Sequence, residues 1–488
     1  MLQLKKISGW TAACSSGKYS PAVRKYRLKP YGKKCLPVNK QLSLTQGSIW
    51  KGILLFALPV LLGNLFQQFY NAFDSWCVGN YIGEEALAAV GSSGSLIFMM
   101  VSFFNGLSMG AGVVIARHYG ARDYEAMRKA IHTAIAFGLV TGIALTIAGV
   151  AFTPTILRWM GTPEEVLPQS ISYFRYYFCG AVFTVMYNIF VGILHAVGDS
   201  KHPLYYLMIS TMVNIALDML FVAVLGLGVG AAAVATTIAQ GISALLCCIH
   251  LVRVDAPYRV VLKQIRFDQK SLVDIVRYGL PSGVQNSVIA LANVFVQSNI
   301  NSFGKAAMAG CGSYSKLEGF AFLPVTCFTQ ALSTFVGQNL GAHRHERVKK
   351  GVVFGILCSC IMAELIGVLS YLFAPQLISF FSSSPEAIAF GTQHMQTICL
   401  FYCLLAFSHC IAGILRGAGK ATVPMFTMLA CWCLFRVSYI TVAVKLVNKL
   451  TTVSWAYPIT WTLSSIIFLI YFLKADWIHN FDREHKKA

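Results

Sequence analysis

The chain has 488 residues, of which 56% are hydrophobic and only 12% are charged. Soluble globular proteins carry about 25% charged residues, so this composition excludes an ordinary soluble domain and indicates a membrane protein. The net charge of +20 would suit nucleic acid, but the basic residues follow the membrane topology described below, and we expect no nucleic-acid partner.

Twelve apolar segments along the chain predict membrane-spanning helices. Each approaches the roughly 20 residues needed to cross the hydrocarbon core of a bilayer. We place them near residues 50–77, 86–112, 130–153, 170–194, 203–225, 229–251, 273–299, 306–335, 351–373, 388–414, 424–446 and 452–473. The predicted fold class is therefore an all-α membrane protein with twelve transmembrane helices.

The first six predicted helices and the last six are copies of one another. Gly192–Pro203 (GILHAVGDSKHP) returns 221 residues later as Gly413–Pro424 (GILRGAGKATVP), and Leu58-Pro59 matches Leu280-Pro281 at a spacing of 222. Because each copy has an even number of spans, both insert in the same orientation, which makes the repeats parallel. Two homologous membrane bundles of this size are typical of transporters.

The repeat and the charges together define the domains and their orientation. We predict a basic N-terminal extension at 1–48, a first lobe at 49–252, a linker at 253–271, a second lobe at 272–474 and a tail at 475–488. Most of the 39 Lys and Arg fall on the side shared by both termini. Loops on the other side carry only Arg158, Lys305, Lys445 and Lys449. The positive-inside rule then predicts cytoplasmic termini in a multi-pass plasma-membrane protein.

The beginning of the chain carries no predicted secretion signal and is expected to be a disordered cytoplasmic extension. Its first charges are not followed by an apolar core, so we expect no cleavable signal peptide. Contact of this basic segment with lipid headgroups is the alternative.

The first predicted helix carries a polar stripe. Asn64, Gln67, Asn71 and Asp74 are spaced three, four and three residues apart, which places them on one helical face. An ionisable residue within a membrane span is costly and usually functional, so we expect Asp74 to act in coupling. The alternative is that Asp74 only caps the end of the helix. Pro59 lies before the stripe on the same helix and is a candidate hinge.

The fifth predicted helix repeats this pattern with Thr211, Asn214 and Asp218. Two carboxylates with amide and hydroxyl oxygens suit Na⁺, a hard cation, at Asp74, Asn214 and Asp218. The same acids could hold a proton instead, because crowding and burial favour the protonated form. Thr236 or its neighbour Thr237 in the sixth helix could add a hydroxyl ligand, or could make structural hydrogen bonds.

The second half has polar residues of its own but no acid in its first helix. Candidate cavity residues there are Gln285, Asn286 and Asn293, alongside Asn64, Gln67 and Asn71 of the first half. Glu318 in the eighth helix is a candidate substrate ligand, a second protonation site or a structural acid. Three other charged residues are expected to make interhelical pairs: Glu364, Arg436 and Arg175.

Several motifs are missing from the sequence. It has no GxxxxGK[ST] loop, no GxSxG elbow and no HExxH helix, so we expect neither an ATPase nor another enzyme. Most of the 15 cysteines lie within predicted helices, where they are small apolar residues, and we expect no disulfide framework or metal site from them. We expect no cofactor beyond a coupling ion.

The polar motifs of the first half resemble those of the multidrug and toxic compound extrusion (MATE) family. The resemblance covers about residues 45–475 and is carried by four segments: FDSWCVGN at Phe73–Asn80, LDMLF at Leu217–Phe221, GAAAVATTIAQ at Gly230–Gln240 and GQNLGA at Gly337–Ala342. It implies two six-helix lobes in a V around a cavity. It also implies export of amphipathic, often cationic drugs, driven by inward flow of H⁺ or Na⁺.

The resemblance assigns the coupling cation to the first lobe, at Asp74, Asn214, Asp218 and Thr236. Many members of the best-known bacterial branch also carry a glutamate in the seventh helix, where this chain has Gln285 and Asn286. At the repeat spacing Asp74 faces Val296 and Asp218 faces Tyr439, which again places coupling in the first half.

The sequence leaves two alternatives. A lipid-linked sugar flippase of the same superfamily would have about fourteen helices and a strongly cationic cavity. A non-transporting membrane receptor or channel would not obviously need a parallel duplication with acids inside its lobes. We expect a monomer with small amphipathic substrates.

Overall fold

A computed structural model describes residues 44–159, 162 and 164–479, with the backbone alone at 84–85, 87–96 and 98. Predictions for residues 1–43 and 480–488 therefore lie outside the described residues. Within the described part the chain is helical, without a strand. Its twelve spans are α1 Ile49–Tyr81, α2 Glu84–Ala121, α3 Tyr124–Trp159, α4 Leu167–Cys179 with Ala181–Ala196, α5 Lys201–Val224, α6 Val229–Arg253, α7 Gln269–Asn301, α8 Lys305–Gly341, α9 His345–Leu372, α10 Pro385–Gly417, α11 Thr422–Leu446 and α12 Leu450–Lys474.

Ten of these described helices are individually long and apolar enough to cross a membrane, and α4 is an eleventh if its two bent parts count as one span. The remaining helix, α7, has 33 residues and is long enough to cross a membrane, but it is not among these apolar helices. It carries Gln285, Asn286, Asn293 and Gln297, and it packs along α2, so much of its surface faces protein. The predicted all-α, twelve-helix fold is confirmed in this form.

Two irregularities of the first lobe were not predicted. The expected continuous helix at 170–194 is broken at Gly180, where its two parts meet at 46°. A Cβ at Gly180 would overlap the side chain of Thr237 on α6, so the close approach of these helices requires glycine. In α5, a π-helical segment, Met219–Val224, follows Asp218 directly. Short π-helical segments within α-helices are frequent at functional sites.

The duplication is visible in the backbone as well as in the sequence. Three pairs of turn residues with positive φ stand 221 positions apart: Gly83 and Gly304 (118° and 96°), Arg122 and His343 (58° and 53°), and Gly198 and Gly419 (90° and 77°). Left-handed residues are uncommon outside glycine, so three matched pairs are strong evidence that both halves use the same connections.

The two lobes meet where α2 runs antiparallel to α7. Gly106 faces Gly283 and Gly110 faces Gly279, and a methyl group on either α2 glycine would overlap the backbone opposite. Asn286 Nδ2 donates to the Ser102 carbonyl at 3.3 Å along the same interface. Small residues at this spacing allow close helix packing in membranes. Two apolar cores, around Ile193 and Leu415, each include residues of both halves, with Ile275 of α7 in the first and Phe56 of α1 in the second.

The last residues of the predicted N-terminal extension are ordered against the second lobe. Leu44 is buried, and its carbonyl accepts hydrogen bonds from Asn339 Nδ2 at 3.2 Å and Arg347 Nε at 3.1 Å. Arg344 Nη1 donates to the Thr45 carbonyl at 2.8 Å. The extension is therefore not disordered throughout.

Candidate functional site

Three helices of the first lobe bring the predicted cation ligands together. Asp74 comes from α1, Asn214 and Asp218 from α5, and Thr236 from α6. All four side chains are buried, with Asn214 and Asp218 fully so and Asp74 8% exposed. The Asp74 and Asp218 carboxyl groups are near enough to interact electrostatically. Sequence spacing alone could place residues on one face of one helix, but not join three helices.

The hydrogen-bonding groups of this site are largely unpartnered. Seven buried side-chain atoms make no well-formed hydrogen bond among the residues that the structure describes, although Asn214 is near enough to Asp218, and Tyr70 to Thr236, to interact with it. These atoms are Asp74 Oδ1, Thr211 Oγ1, Asn214 Oδ1 and Nδ2, both carboxylate oxygens of Asp218, and Thr236 Oγ1. Buried polar atoms normally have partners, because losing water without gaining a hydrogen bond costs free energy. Six of the seven are oxygens, which is the ligand type of a hard cation.

Apolar packing encloses the site on its far side. A buried cluster of Cys77, Val78, Val222, Ala232 and Ala233 joins α1, α5 and α6 here. The Cys77 thiol also lies 3.7 Å from the Asp218 backbone carbonyl. Charges in such surroundings interact more strongly than in water. The two acids therefore interact in largely apolar surroundings.

The polar stripe of α1 lines a cavity of about 510 Å³ in the first lobe. Asn64, Gln67, Asn71 and Asp74 all contribute to its wall, as does Thr236, whereas Asn214 and Asp218 lie behind that wall. Among its described lining residues, Asp74 is the single carboxylate and no Lys or Arg occurs. Leu323 of α8 is the contribution of the second lobe.

Aromatic and amide residues join the polar stripe around Asp74. Tyr70, Tyr173, Tyr177, Asn105 and Asn188 line the same cavity. The two α4 tyrosines are stacked, with ring centroids 6.4 Å apart. Their spacing of four residues is a usable signal for one helical face. However, the sequence has 21 tyrosines and does not show which of them face the cavity.

The structure distinguishes the two threonines of α6. Thr236 faces the cavity with its hydroxyl unpartnered. Thr237 points toward α4, where its Oγ1 donates to the Tyr176 carbonyl at 3.3 Å. Thr236 therefore keeps the candidate ligand role, and Thr237 joins two helices.

Candidate cavity residues of the second half lie elsewhere. Gln285 is buried, with its Nε2 2.8 Å from the Met428 sulfur, and Asn286 bonds across the interface to α2. Asn293 Oδ1 accepts from Arg436 Nη1 at 3.3 Å. None of these three residues is among the described residues that line the 510 Å³ cavity. Their substrate role stays a prediction.

Glu318 belongs to a polar cluster inside the second lobe. Its Oε1 accepts from the Tyr314 hydroxyl at 3.1 Å, and that hydroxyl lies 3.2 Å from Tyr402 Oη. Nearby Arg436 donates to Thr460 Oγ1 at 2.9 Å and lies 4.6 Å from the Tyr457 ring centroid. Aromatic faces and hydroxyl groups thus stabilise both charges.

Glu364 and Arg175 lie in different surroundings. Glu364 Oε2 accepts from the Cys403 backbone N–H at 3.1 Å, which is an interhelical contact as expected, although with a neutral partner. Arg175 lies at an exposed position of α4. Neither residue lines the cavity beside Asp74 among the described residues.

Pro59 lies inside α1 next to a second cavity, of about 140 Å³, that is lined by both lobes. Gly63 and His195 line it from the first lobe, and Gln330 and Ser333 from the second. The hinge role of Pro59 stays a prediction, but a bend here would move residues at the lobe interface.

A duplicated bundle of membrane-spanning helices, with buried acids beside a polar cavity, defines a multi-pass membrane transporter. The MatE family model matches the chain twice, at residues 59–220 and 281–442. The chain belongs to this family, and it is a MATE transporter.

Known proteins with similar sequences cover most of the chain. A probable multidrug resistance protein, YoeA of Bacillus subtilis, is 30% identical over 79% of this chain and 85% of its own length. The FAD transporter of Shewanella oneidensis is 24% identical over 71% of this chain and 77% of its own length.

Solved structures show the same fold. The crystal structure of a MATE transporter in complex with MaL6 matches with a TM-score of 0.85 at 24% identity, over 91% of this chain and 100% of the other. A MOP superfamily transporter from Pyrococcus furiosus matches with a TM-score of 0.83 at 25% identity, over 89% and 97%.

Proposed function

We propose that this protein is a secondary antiporter that exports amphipathic, often cationic organic compounds in exchange for H⁺ or Na⁺. The observation that carries the proposal is the group of seven buried, unpartnered polar atoms around Asp74 and Asp218. A cation bound there would satisfy these groups and offset the repulsion of two nearby acids. Because Asp74 also lines the cavity, ion binding and substrate binding would share one wall.

The cavity chemistry supports cationic or neutral aromatic substrates. Its described wall combines one carboxylate with amides and tyrosine rings and carries no basic residue. Tyrosine faces attract organic cations. An anionic substrate such as a flavin dinucleotide or a lipid-linked sugar phosphate would require compensating basic residues. We therefore favour drug export, as the name of the YoeA relative suggests, over flavin export or lipid flipping.

Orientation follows from the charge distribution. We propose that both termini face the cytoplasm in the plasma membrane, that the protein acts as a monomer, and that the coupling ion is its only cofactor. The basic loops on the terminal side support this orientation.

Transport by the purified protein in liposomes tests the function directly. Vesicles are given either a pH gradient without Na⁺ or a Na⁺ gradient at uniform pH, and movement of ethidium is followed by fluorescence. We expect one gradient to drive ethidium against its own concentration difference, and an ionophore for that ion to stop the movement. Folded protein that does no better than protein-free vesicles under both gradients would refute the proposal.

A further inference from the structure

We propose that Asp199, His202 and His250 bind one divalent transition-metal ion of the Zn²⁺ class. The three residues lie at the turn between α4 and α5 and near the end of α6. This place is distinct from the predicted coupling site, because His202 and Asp218 are about 24 Å apart along α5 at 1.5 Å per residue. The inference is independent of the proposed antiport.

The three candidate ligand atoms are already close together. His202 Nδ1 is 2.6 Å and His250 Nε2 is 3.8 Å from Asp199 Oδ2. All three atoms lie within 4.8 Å of one another. Ligands about 2.0–2.1 Å from a tetrahedral Zn²⁺ stand about 3.3 Å apart, so small side-chain rotations would complete the geometry.

Each ligand is held in position by other contacts. Asp199 Oδ1 accepts the His202 backbone N–H at 3.2 Å, which fixes the buried carboxylate and leaves Oδ2 toward the histidines. The two imidazole rings lie 4.1 Å apart between centroids, tilted by 35°. Buried His250 Nε2 has no hydrogen-bond partner among the described residues. An imidazole nitrogen that makes no hydrogen bond and lies 3.8 Å from a carboxylate oxygen is suitably placed to share a metal ion with it.

The donor set selects the kind of metal. Two imidazole nitrogens and one carboxylate suit Zn²⁺, Co²⁺ or Ni²⁺, whereas Mg²⁺ and Ca²⁺ prefer oxygen ligands alone. Three protein ligands leave one coordination position for water.

The site is not a by-product of the repeated fold. At the repeat spacing of 221 residues, Asp199, His202 and His250 correspond to Lys420, Val423 and Tyr471, which do not form such a set. The ligands occur only in the lobe that carries Asp74 and Asp218. A bound metal would join the start of α5 to the end of α6, and these two helices carry Asn214, Asp218 and Thr236.

Metal binding by the purified full-length protein tests the inference. The protein is loaded with Co²⁺ or Zn²⁺ and desalted; the metal content per chain is measured, with the visible d–d absorption of Co²⁺ reporting the geometry. We expect one tightly bound ion per chain in the wild type. His202→Gln, His250→Gln and Asp199→Asn should each weaken binding at least about 10-fold.

A second Asp–His pair in the chain supplies the control. Asp476 and His479 have the same spacing and a similar contact, with His479 Nδ1 2.7 Å from Asp476 Oδ1, but they belong to no three-ligand group among the described residues. His479→Gln should therefore keep the metal. Equal loss in His479→Gln and His202→Gln, or equal metal content in the wild type and a His202→Gln/His250→Gln double variant, would overturn the proposal.

Stability measurements separate metal binding from misfolding. Zn²⁺ should raise the thermal unfolding midpoint of the wild type and leave that of His250→Gln unchanged, since a ligand stabilises only the state that binds it. Should His202→Gln fail to fold, His250→Gln still decides the question, because it removes a ring nitrogen without a hydrogen-bond partner. A wild type that Zn²⁺ does not stabilise contradicts the site.

Discussion

The fifth helix of each repeat carries the polar centre of its lobe, and the two centres differ in what satisfies them. In α5, Asp218 precedes a π-helical segment and both of its carboxylate oxygens are unpartnered in the described structure. In α11, Arg436 follows a π-helical segment and donates to Asn293 and Thr460. Asp218 thus lacks hydrogen bonds to its carboxylate in the described structure, whereas the Arg436 guanidinium makes two and leaves its Nε unpartnered.

The difference has a physical explanation. A buried charge is tolerated where a partner compensates its lost hydration. The second lobe supplies such partners through Tyr457 and Trp432, whose ring centroids lie 4.6 and 5.3 Å from the Arg436 guanidinium. In the first lobe, the described residues that line the cavity beside Asp74 include no Lys or Arg, which is why we propose that a cation from solution compensates its acids. If the proposed antiport is correct, duplication allowed one copy to bind ions and the other to remain structural.

The largest effect is expected when a carboxylate charge is removed from the first lobe. Asp218→Asn keeps the size and one oxygen of the side chain but removes a carboxylate that interacts with Asp74. We expect gradient-driven efflux to fall by at least about 10-fold, because coupling free energies of 1–3 kcal/mol correspond to roughly 5–150-fold. Asp74→Asn should act similarly. Ethidium transport in liposomes under the effective ion gradient measures the loss.

The loss of efflux can be assigned to the missing charge only if both Asn variants are folded. Both Asn variants remove repulsion between buried acids, so they should be at least as stable as the wild type when no ion is bound. Near-normal coupled transport by either variant would show that the acids of the first lobe are not the ion site.

A second prediction concerns the contact that joins the lobes. Gly110→Ala places a methyl group against the Gly279 backbone, and relief of this overlap should cost about 1–3 kcal/mol. Gly312→Ala is the matched control, because its new Cβ has no atom within 4 Å. We expect a lower thermal unfolding midpoint for Gly110→Ala alone. Equal midpoints would mean that the α2–α7 contact contributes little to the folded state.

Much of the fold follows from the sequence because a bilayer leaves few choices. Backbone groups in hydrocarbon must be satisfied within a helix, so apolar length predicts spans well. What the sequence does not predict is local packing: the helix breaks at Gly180, where it approaches Thr237 of α6 closely. The polar composition of α7 likewise reflects the partner helix rather than the membrane.

The sequence indicates which residues are candidates for the site, but not how they are arranged in space. Helical spacing identified Asp74 and Asp218 from the cost of acids in a membrane. Spacing could not show that Thr236 faces the cavity while Thr237 faces α4, since adjacent residues lie on different faces and the rotation of α6 is set by packing. Asn293 and Glu318 have the residue types expected of a cavity, yet the structure gives them partners within the second lobe.

The different surroundings of Thr236 and Thr237 give a third prediction, with a smaller expected effect on ion affinity. Thr236→Val removes one unpartnered oxygen without changing the side-chain shape, and should weaken ion affinity by about 0.5–1.5 kcal/mol. Thr237→Val removes a hydrogen bond to the Tyr176 carbonyl instead, and should leave ion affinity unchanged. Titration of transport rate against ion concentration gives both affinities. An equal weakening in the two variants would remove Thr236 from the ligand set.

The prediction with the smallest expected effect on transport concerns Glu318 of the second lobe. Glu318→Gln keeps an oxygen that can accept from the Tyr314 hydroxyl and removes only the charge. If the second lobe is structural, coupled transport per folded molecule should stay within about two-fold of wild type, a change of roughly 0.4 kcal/mol. Stability is a separate matter, because Glu318 is near enough to Arg436 to compensate part of its charge.

Glu318→Leu separates these two roles of the side chain. It leaves the Tyr314 hydroxyl without the Glu318 acceptor and should cost about 1–3 kcal/mol of stability, which Glu318→Gln largely avoids. Unfolding midpoints and transport rates are therefore measured on the same preparations. If Glu318→Gln remains folded but loses gradient-driven transport as Asp218→Asn does, the carboxylate of the second lobe takes part in coupling. The division of roles between the lobes would then be wrong.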